Sequence, residues 1–210
     1  MNEFILQANN ISKKFDRRKP LFENINFTLS NGKAIAITGK NGSGKSTLLK
    51  ITAGLLSLSS GEIKFEIAQK PVLQENFNVY YGFVAPYLNL YEEFTAPEHM
   101  KLHAELKGID FKQSRAGELL DRFNLSNSKD KYISKFSSGM KQRLKLILAI
   151  YNEPPVLFLD EPYSNLDEAG IKIVTDLIIR HKSNGGGIII ATNDEREKAL
   201  CDEIISLESQ

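Results

Sequence analysis

Residues 39–47 read Gly-Lys-Asn-Gly-Ser-Gly-Lys-Ser-Thr and fit the phosphate-loop pattern of Gly, four residues, Gly, Lys, then Ser or Thr. A glycine-rich turn at a helix start aims backbone N–H groups and the positive end of the helix dipole at one small volume, where a phosphate binds. We expect Lys45 to reach the β- and γ-phosphates and the Ser46 hydroxyl to be a Mg²⁺ ligand. The other expected nucleotide contacts are Gly39, Asn41, Gly42, Ser43, Gly44 and Thr47. The alternative is an ordinary Gly/Ser-rich turn before a helix.

A second set of reactive side chains follows the apolar run 156–159. There Asp160-Glu161-Pro162 ends a predicted buried strand, and parallel sheets bind ligands at the carboxyl ends of their strands. We expect Asp160 to hold Mg²⁺, directly or through water, and Glu161 to orient and polarise an attacking water. Taken alone, the three residues could equally begin a surface loop.

The apolar pattern predicts the elements that position both sets. A buried strand at 34–38 precedes the loop, and a helix at 45–53 follows it. Further strands at 156–159, 187–192 and 203–207 alternate with helices at 139–151, 167–181 and 194–200, which indicates an α/β fold with a mostly parallel sheet. The first 30 residues are strand-rich, and the pattern predicts two amphipathic helices of an inserted lobe at 96–106 and 111–123.

Composition bears on partners and location. Lys and Arg total 27 against 26 Asp and Glu, a net charge of +1, so there is no electrostatic case for a nucleic-acid partner. No apolar run approaches the ~20 residues that span a bilayer, and the N-terminus does not resemble a signal peptide. We therefore expect a cytoplasmic protein without direct membrane insertion. The single cysteine, Cys201, is expected to be a buried helix residue.

The motifs resemble, in order and over essentially the whole chain, the nucleotide-binding subunit of an ABC (ATP-binding cassette) transporter of the small exporter type. Residues 136–140, Phe-Ser-Ser-Gly-Met, are similar to the family's Leu-Ser-Gly-Gly-Gln signature, although Phe136, Ser138 and Met140 depart from it. The resemblance implies that Ser137 and Gly139 contact ATP bound to the other subunit of a dimer, a homodimer here. A simple Ser-capped helix is the alternative, and both can hold together.

The resemblance also implies the fold and further contacts. It implies one P-loop NTPase domain of ABC type over 1–210, with a core and N-terminal antiparallel β subdomain at 1–84 and 152–210. The helical lobe with the signature then spans about 87–151. Phe15 stands where the family stacks an aromatic ring on adenine, unless it packs in a turn or core. Residues 164–167 resemble the loop that links the two ATP sites, although Asp167 could simply be a helix N-cap.

Two departures from the family pattern bear on ATP hydrolysis. Pro86 stands where the family has a Gln that contacts metal and water, and Asn193 stands where it has a His that contacts the γ-phosphate. Asn193 still offers a hydrogen-bond donor but cannot take up a proton near neutral pH. We therefore expect slow hydrolysis. Asp194 and Glu197 also fit a capping box for the following helix.

The apolar and aromatic run Tyr87, Leu88, Leu90, Tyr91 and Phe94 follows Pro86 in a predicted loop. An exposed cluster of this kind marks a partner surface, and the resemblance implies a groove for a helix of the membrane permease. The alternative is burial in the protein's own core. Two other functions remain open: a weakly or non-hydrolysing regulatory nucleotide-binding subunit, and a soluble ABC ATPase without a role in transport. The transported substrate is not encoded in this chain.

Overall fold

The computed structural model describes residues 2–15 and 19–207. In chain order, the strands of this part are β1 (Phe4–Lys13), β2 (Phe22–Ser30), β3 (Ala34–Thr38), β4 (Ser60–Ile67), β5 (Lys70–Pro71), β6 (Tyr81–Val84), β7 (Val156–Asp160), β8 (Gly187–Ala191) and β9 (Glu203–Ser206). The helices are α1 (Lys45–Thr52), α2 (Ala96–Leu106), α3 (Gln113–Arg122), α4 (Ser138–Ile150), α5 (Glu168–Ser183) and α6 (Glu195–Lys198).

The strands form two sheets. A parallel sheet has the order β6-β7-β8-β3-β9, and an antiparallel sheet has the order β2-β1-β4-β5. The central strands β3, β7 and β8 are buried along their whole length, which explains their continuous apolar sequences. The predicted α/β fold with a parallel core and an N-terminal antiparallel portion is confirmed.

Two hydrophobic layers cover the faces of the parallel sheet. On one face, the antiparallel sheet and α1 enclose a core that includes Phe4, Leu48 and Phe158. On the other face, a second core joins the sheet to the inner sides of α2 to α5. Helix α4 packs so closely on β6 that a Cβ on Gly82 would collide with the Ala149 carbonyl oxygen. The two layers therefore hold β3 and β7, with the loops that follow them, in a fixed frame.

Helix ends follow local chemistry. Thr95 and Glu98 form a capping box at the start of α2, and Ser137 and Asp167 cap α4 and α5 through their side chains. The boundaries predicted for the helices and for the strands of the parallel sheet agree within about three residues. The terminal helix α6 ends at Lys198, two residues before its predicted end. Cys201 consequently lies after α6, partly buried, and not within a helix as predicted.

Candidate functional site

The phosphate loop joins β3 to α1 in a conformation that requires glycine. Gly39, Gly42 and Gly44 have φ angles of 147°, 84° and 102°, in the region that side chains disfavour. A Cβ on Gly39 would lie 2.5 Å from the Leu207 carbonyl oxygen, and one on Gly44 would lie 2.8 Å from Leu21. The backbone is thus drawn into a tight cup above the first turn of α1, as the sequence predicted.

Lys45 closes this cup from inside. Its side chain is buried, and its Nζ donates hydrogen bonds to the carbonyl oxygens of Gly39 at 2.8 Å and Lys40 at 3.4 Å. The buried Ser43 hydroxyl has no hydrogen-bond partner within the described residues. Asn41 lies exposed on the loop, and Thr47 is half-buried in the first turn of α1. A fixed ammonium group and an unused buried hydroxyl are suited to an anionic ligand.

Asp160 lies at the carboxyl end of β7, only 3% exposed. Burial raises the pKa of its carboxyl group, while the Ser46 hydroxyl and the ammonium groups of Lys50 and Lys45 oppose that rise. The end of β7 and the start of α1 are therefore neighbours. A hydroxyl and a carboxylate are oxygen donors of the kind that Mg²⁺ prefers, so this pair fits the predicted metal site.

Glu161 has an unusual backbone. Its φ angle is 47°, a left-handed conformation that costs a residue with a side chain free energy. Its N–H donates to the Ala191 carbonyl at 2.9 Å, and its Oε2 accepts a hydrogen bond from Ser164 at 3.4 Å. The side chain is exposed. The strained turn carries the carboxylate out of the sheet beside Asp160, where a water could be activated.

Asn193 follows β8 and reaches the phosphate loop. Its Oδ1 accepts a hydrogen bond from the Gly39 N–H at 3.4 Å. Because β8 lies between β7 and β3 in the sheet, Asn193 comes next to the same edge as Asp160. The structure thus brings Lys45, Ser46, Asp160, Glu161 and Asn193 together at one edge.

The signature segment lies beside the loop that follows β7. The Ser137 Oγ accepts from the Met140 N–H at 3.2 Å, so its capping role is met. A Cβ on Gly139 would lie 2.9 Å from the Asn165 carbonyl oxygen, which fixes the start of α4 against residues 164–167. Phe136 is buried in the core. Asp167 is the N-cap of α5, accepting from the Gly170 N–H at 2.8 Å.

Phe15 is 68% exposed, with the Lys13 ammonium 4.8 Å from its ring centroid. It is therefore not a core residue. This excludes the core alternative and leaves the predicted stacking on adenine as an expectation.

Two buried polar residues were not predicted as part of the site. The Gln142 Nε2 on α4 donates to the Pro162 carbonyl at 3.2 Å, which ties the signature helix to the turn after Asp160. The Glu197 carboxylate does not complete a capping box. It accepts from the Tyr163 N–H at 2.8 Å, whereas the Asp194 N–H donates to Thr192. Both contacts link segments distant in sequence, which no local pattern signals.

These features define a nucleotide-binding protein with a phosphate-loop α/β core. The sequence profile of the family described as "ABC transporter" matches residues 22–164. The chain belongs to that family, as an ATP-binding subunit of the kind that hydrolyses ATP.

Curated relatives agree with this placement. The "Lantibiotic transport ATP-binding protein SrtF" of Streptococcus pyogenes is 34% identical over 189 residues, 90% of this chain and 80% of the relative. The "Lipoprotein-releasing system ATP-binding protein LolD" of Treponema denticola is 32% identical over 216 residues, 96% of this chain and 94% of the relative. Both names describe ATP-binding proteins of transport systems.

Solved structures share the fold. An "ATP binding subunit of ABC transporter" superposes with a TM-score of 0.83 at 27% identity, over 96% of this chain and 85% of the other. The ATP-binding cassette MJ0796, a dimer with ADP and Pi, superposes with a TM-score of 0.83 at 24% identity, over 98% and 96% of the two chains. Within residues 2–15 and 19–207, no helix has the length and apolar character to cross a membrane.

Proposed function

We propose that this chain binds Mg-ATP at the edge formed by the phosphate loop and the end of β7, hydrolyses it slowly, and powers an exporter through a separate membrane permease. The observation that carries the proposal is the convergence of Lys45, Ser46 and Asp160 at that edge. A cation for the phosphates and two oxygen donors for Mg²⁺ are what the chemistry requires.

Each residue has a distinct part in the proposed reaction. The loop N–H groups and Lys45 hold the phosphates, Ser46 and Asp160 would hold Mg²⁺, and Glu161 orients a water toward the terminal phosphate. Bound Mg²⁺ supplies positive charge that offsets the negative charge on the phosphate oxygens. Asn193 donates a hydrogen bond but cannot shuttle a proton as His does, and Pro86 offers no ligand. Slow turnover follows from both.

The partners follow from exposed features of the same chain. Ser137 and Gly139 would meet the ATP bound to a second copy of this chain, so that two nucleotides hold a homodimer together. Loss of the terminal phosphate would loosen that dimer and deliver the mechanical step.

A groove of about 280 Å³, lined by Leu88, Leu90 and Leu148 among others, lies between β6 and α2. Its largely apolar lining suits a helix of the permease at the cytoplasmic side of the membrane.

The test is turnover of Mg-ATP by the purified chain, with Glu161→Gln as the control that keeps the fold. We expect turnover above that control but below the ~1 s⁻¹ at the low end of ordinary enzymes. Lys45→Ala is expected to lose Mg-ATP binding. Binding without turnover above the control, even at high protein concentration, would contradict hydrolysis and favour a regulatory nucleotide-binding subunit.

A further inference from the structure

Pro86 forms part of a defined turn. The Leu88 N–H donates to the Ala85 carbonyl at 3.2 Å, which makes residues 85–88 a β-turn with proline at its second position and Tyr87 at its third. Lys145 on α4 anchors the turn, because its Nζ donates to the carbonyl oxygens of Ala85 at 3.2 Å and Pro86 at 2.9 Å. The direction of Tyr87 is therefore set by local geometry and not by a loose loop.

The turn directs Tyr87 toward α1. The Lys50 ammonium lies 3.9 Å from the centroid of the Tyr87 ring, within cation–π range. Tyr87 is absent from the lining of the apolar groove, which takes its loop residues from Leu88, Asn89 and Leu90. The ring of Tyr87 covers Lys50 instead, so Tyr87 lies outside this apolar groove.

The Asp160 carboxylate interacts electrostatically with both Lys50 and Tyr87. The Lys50 ammonium opposes the rise that burial causes in the pKa of Asp160. Burial raises the pKa of Tyr87, and the Asp160 charge adds a smaller rise. A protonated tyrosine hydroxyl is a hydrogen-bond donor. The turn that carries Tyr87 follows β6, which pairs with β7, the strand that ends at Asp160. Tyr87 as a whole is 45% exposed.

We propose that the Tyr87 hydroxyl donates a hydrogen bond to the terminal-phosphate end of bound Mg-ATP, at the place left without a side-chain ligand by Pro86. Tyr87 is then a catalytic residue of this chain, and Lys50 is the positioning residue that holds its ring. This inference rests on the proposed ATP site. It assigns that site a contact specific for ATP over ADP, because ADP lacks the terminal phosphate.

The test compares affinities for Mg-ATP and Mg-ADP in the Glu161→Gln background, where ATP is not consumed. Tyr87→Phe keeps the ring on Lys50 and removes only the hydroxyl. We expect the ratio of ATP to ADP affinity to fall roughly ten- to a hundredfold, as for one hydrogen bond to a charged group. In the otherwise native chain, turnover should fall by at least as much.

The matched control is Tyr80→Phe, which removes a hydroxyl from a ring packed against Phe65. Phe65 belongs to the core enclosed by the antiparallel sheet and α1. The Tyr80→Phe variant should leave both the affinity ratio and turnover unchanged. An unchanged ratio in Tyr87→Phe would overturn the inference and reduce Tyr87 to a cover for Lys50. That result would leave the proposed ATPase function intact. Conversely, a wild-type chain without turnover would count against the ATPase function, and the ratio of ATP to ADP affinity would still decide the role of Tyr87.

Discussion

The Glu197 carboxylate accepts a hydrogen bond from the Tyr163 backbone N–H at 2.8 Å, although the two residues lie 34 positions apart. Tyr163 belongs to the turn that follows Asp160 and Glu161, and Glu197 belongs to the short helix after Asn193. The contact therefore ties the loops after β7 and β8 together behind the candidate site. Glu197 is 1% exposed, and its Oε2 has no partner within the described residues.

The first prediction is a pH dependence of stability that originates at Glu197. Burial raises the pKa of this carboxyl group to about 7, against 4.5 in the unfolded chain. Between these values the folded protein binds more protons than the unfolded chain, so this group's contribution to stability falls as pH rises from 4.5 to 7. The total is roughly 3 kcal/mol. Urea denaturation of the wild type and Glu197→Gln, from about pH 4.5 to about pH 8, measures it as a difference.

The difference is needed because three histidines act in the opposite direction. Burial lowers the pKa of His99, and it lowers the pKa of His103 and His181 to about 4. All three must remain neutral in the folded protein, so they destabilise it as pH falls below 6.5. The wild type and Glu197→Gln share these histidines, so their contribution cancels in the subtraction. A difference that stays constant across the range from 4.5 to 7 would contradict the assignment to Glu197.

A second prediction uses two glycines with opposite surroundings. Gly82 on β6 faces the Ala149 carbonyl oxygen so closely that alanine must push α4 away from the sheet, at a cost of about 1–3 kcal/mol. Gly117 within α3 has open space for 4 Å around the position that a Cβ would take, so alanine there should stabilise the helix by roughly 0.5–1 kcal/mol. Thermal or urea unfolding of the two variants should shift in opposite directions. A neutral Gly82→Ala would show that α4 and β6 separate easily.

The phosphate loop and Glu197 indicate what the sequence of this chain can and cannot predict. The phosphate loop was predictable because the constraint is local: glycines at 39, 42 and 44 between an apolar strand and a helix. Ser137 and Asp167 were predictable as caps for the same reason. The capping-box prediction for Glu197 was wrong, although its spacing from Asp194 fits that motif. Glu197 instead accepts a hydrogen bond from Tyr163, a contact that exists because β7 and β8 are adjacent in the sheet.

The residues after Pro86 show the same limit. The apolar and aromatic run predicts one groove for Tyr87, Leu88 and Leu90, whereas the structure has Leu88 and Leu90 in the lining of an apolar groove and Tyr87 outside it. The separation of Tyr87 from its neighbours requires the turn at Ala85 to Leu88 and the position of Lys50, on a helix 37 residues earlier. Sequence spacing alone contains neither.

A third prediction addresses the permease groove and rests on the proposed transport function. Leu88 is 36% exposed and lines the groove, so Leu88→Glu should leave the fold intact but place a charge in an apolar contact. We expect association with the proposed membrane permease to weaken by at least tenfold, measured with purified partners. Leu73→Glu, a change at an exposed leucine that does not line the groove, is the control. Equal loss in both variants would argue against a specific groove.

The last prediction separates stability from catalysis at Glu161. Its φ angle of 47° strains every residue with a Cβ, and glycine alone relieves that strain. Glu161→Gly should therefore be more stable than Glu161→Gln by about 1 kcal/mol in urea denaturation, because Gln keeps the Cβ. Both variants should lose turnover, since neither carries a carboxylate to orient water, while Mg-ATP binding persists through Lys45 and Asp160. Equal stability of the two variants would show that the turn at Glu161 is not strained. Turnover by the glycine variant would remove Glu161 from the reaction.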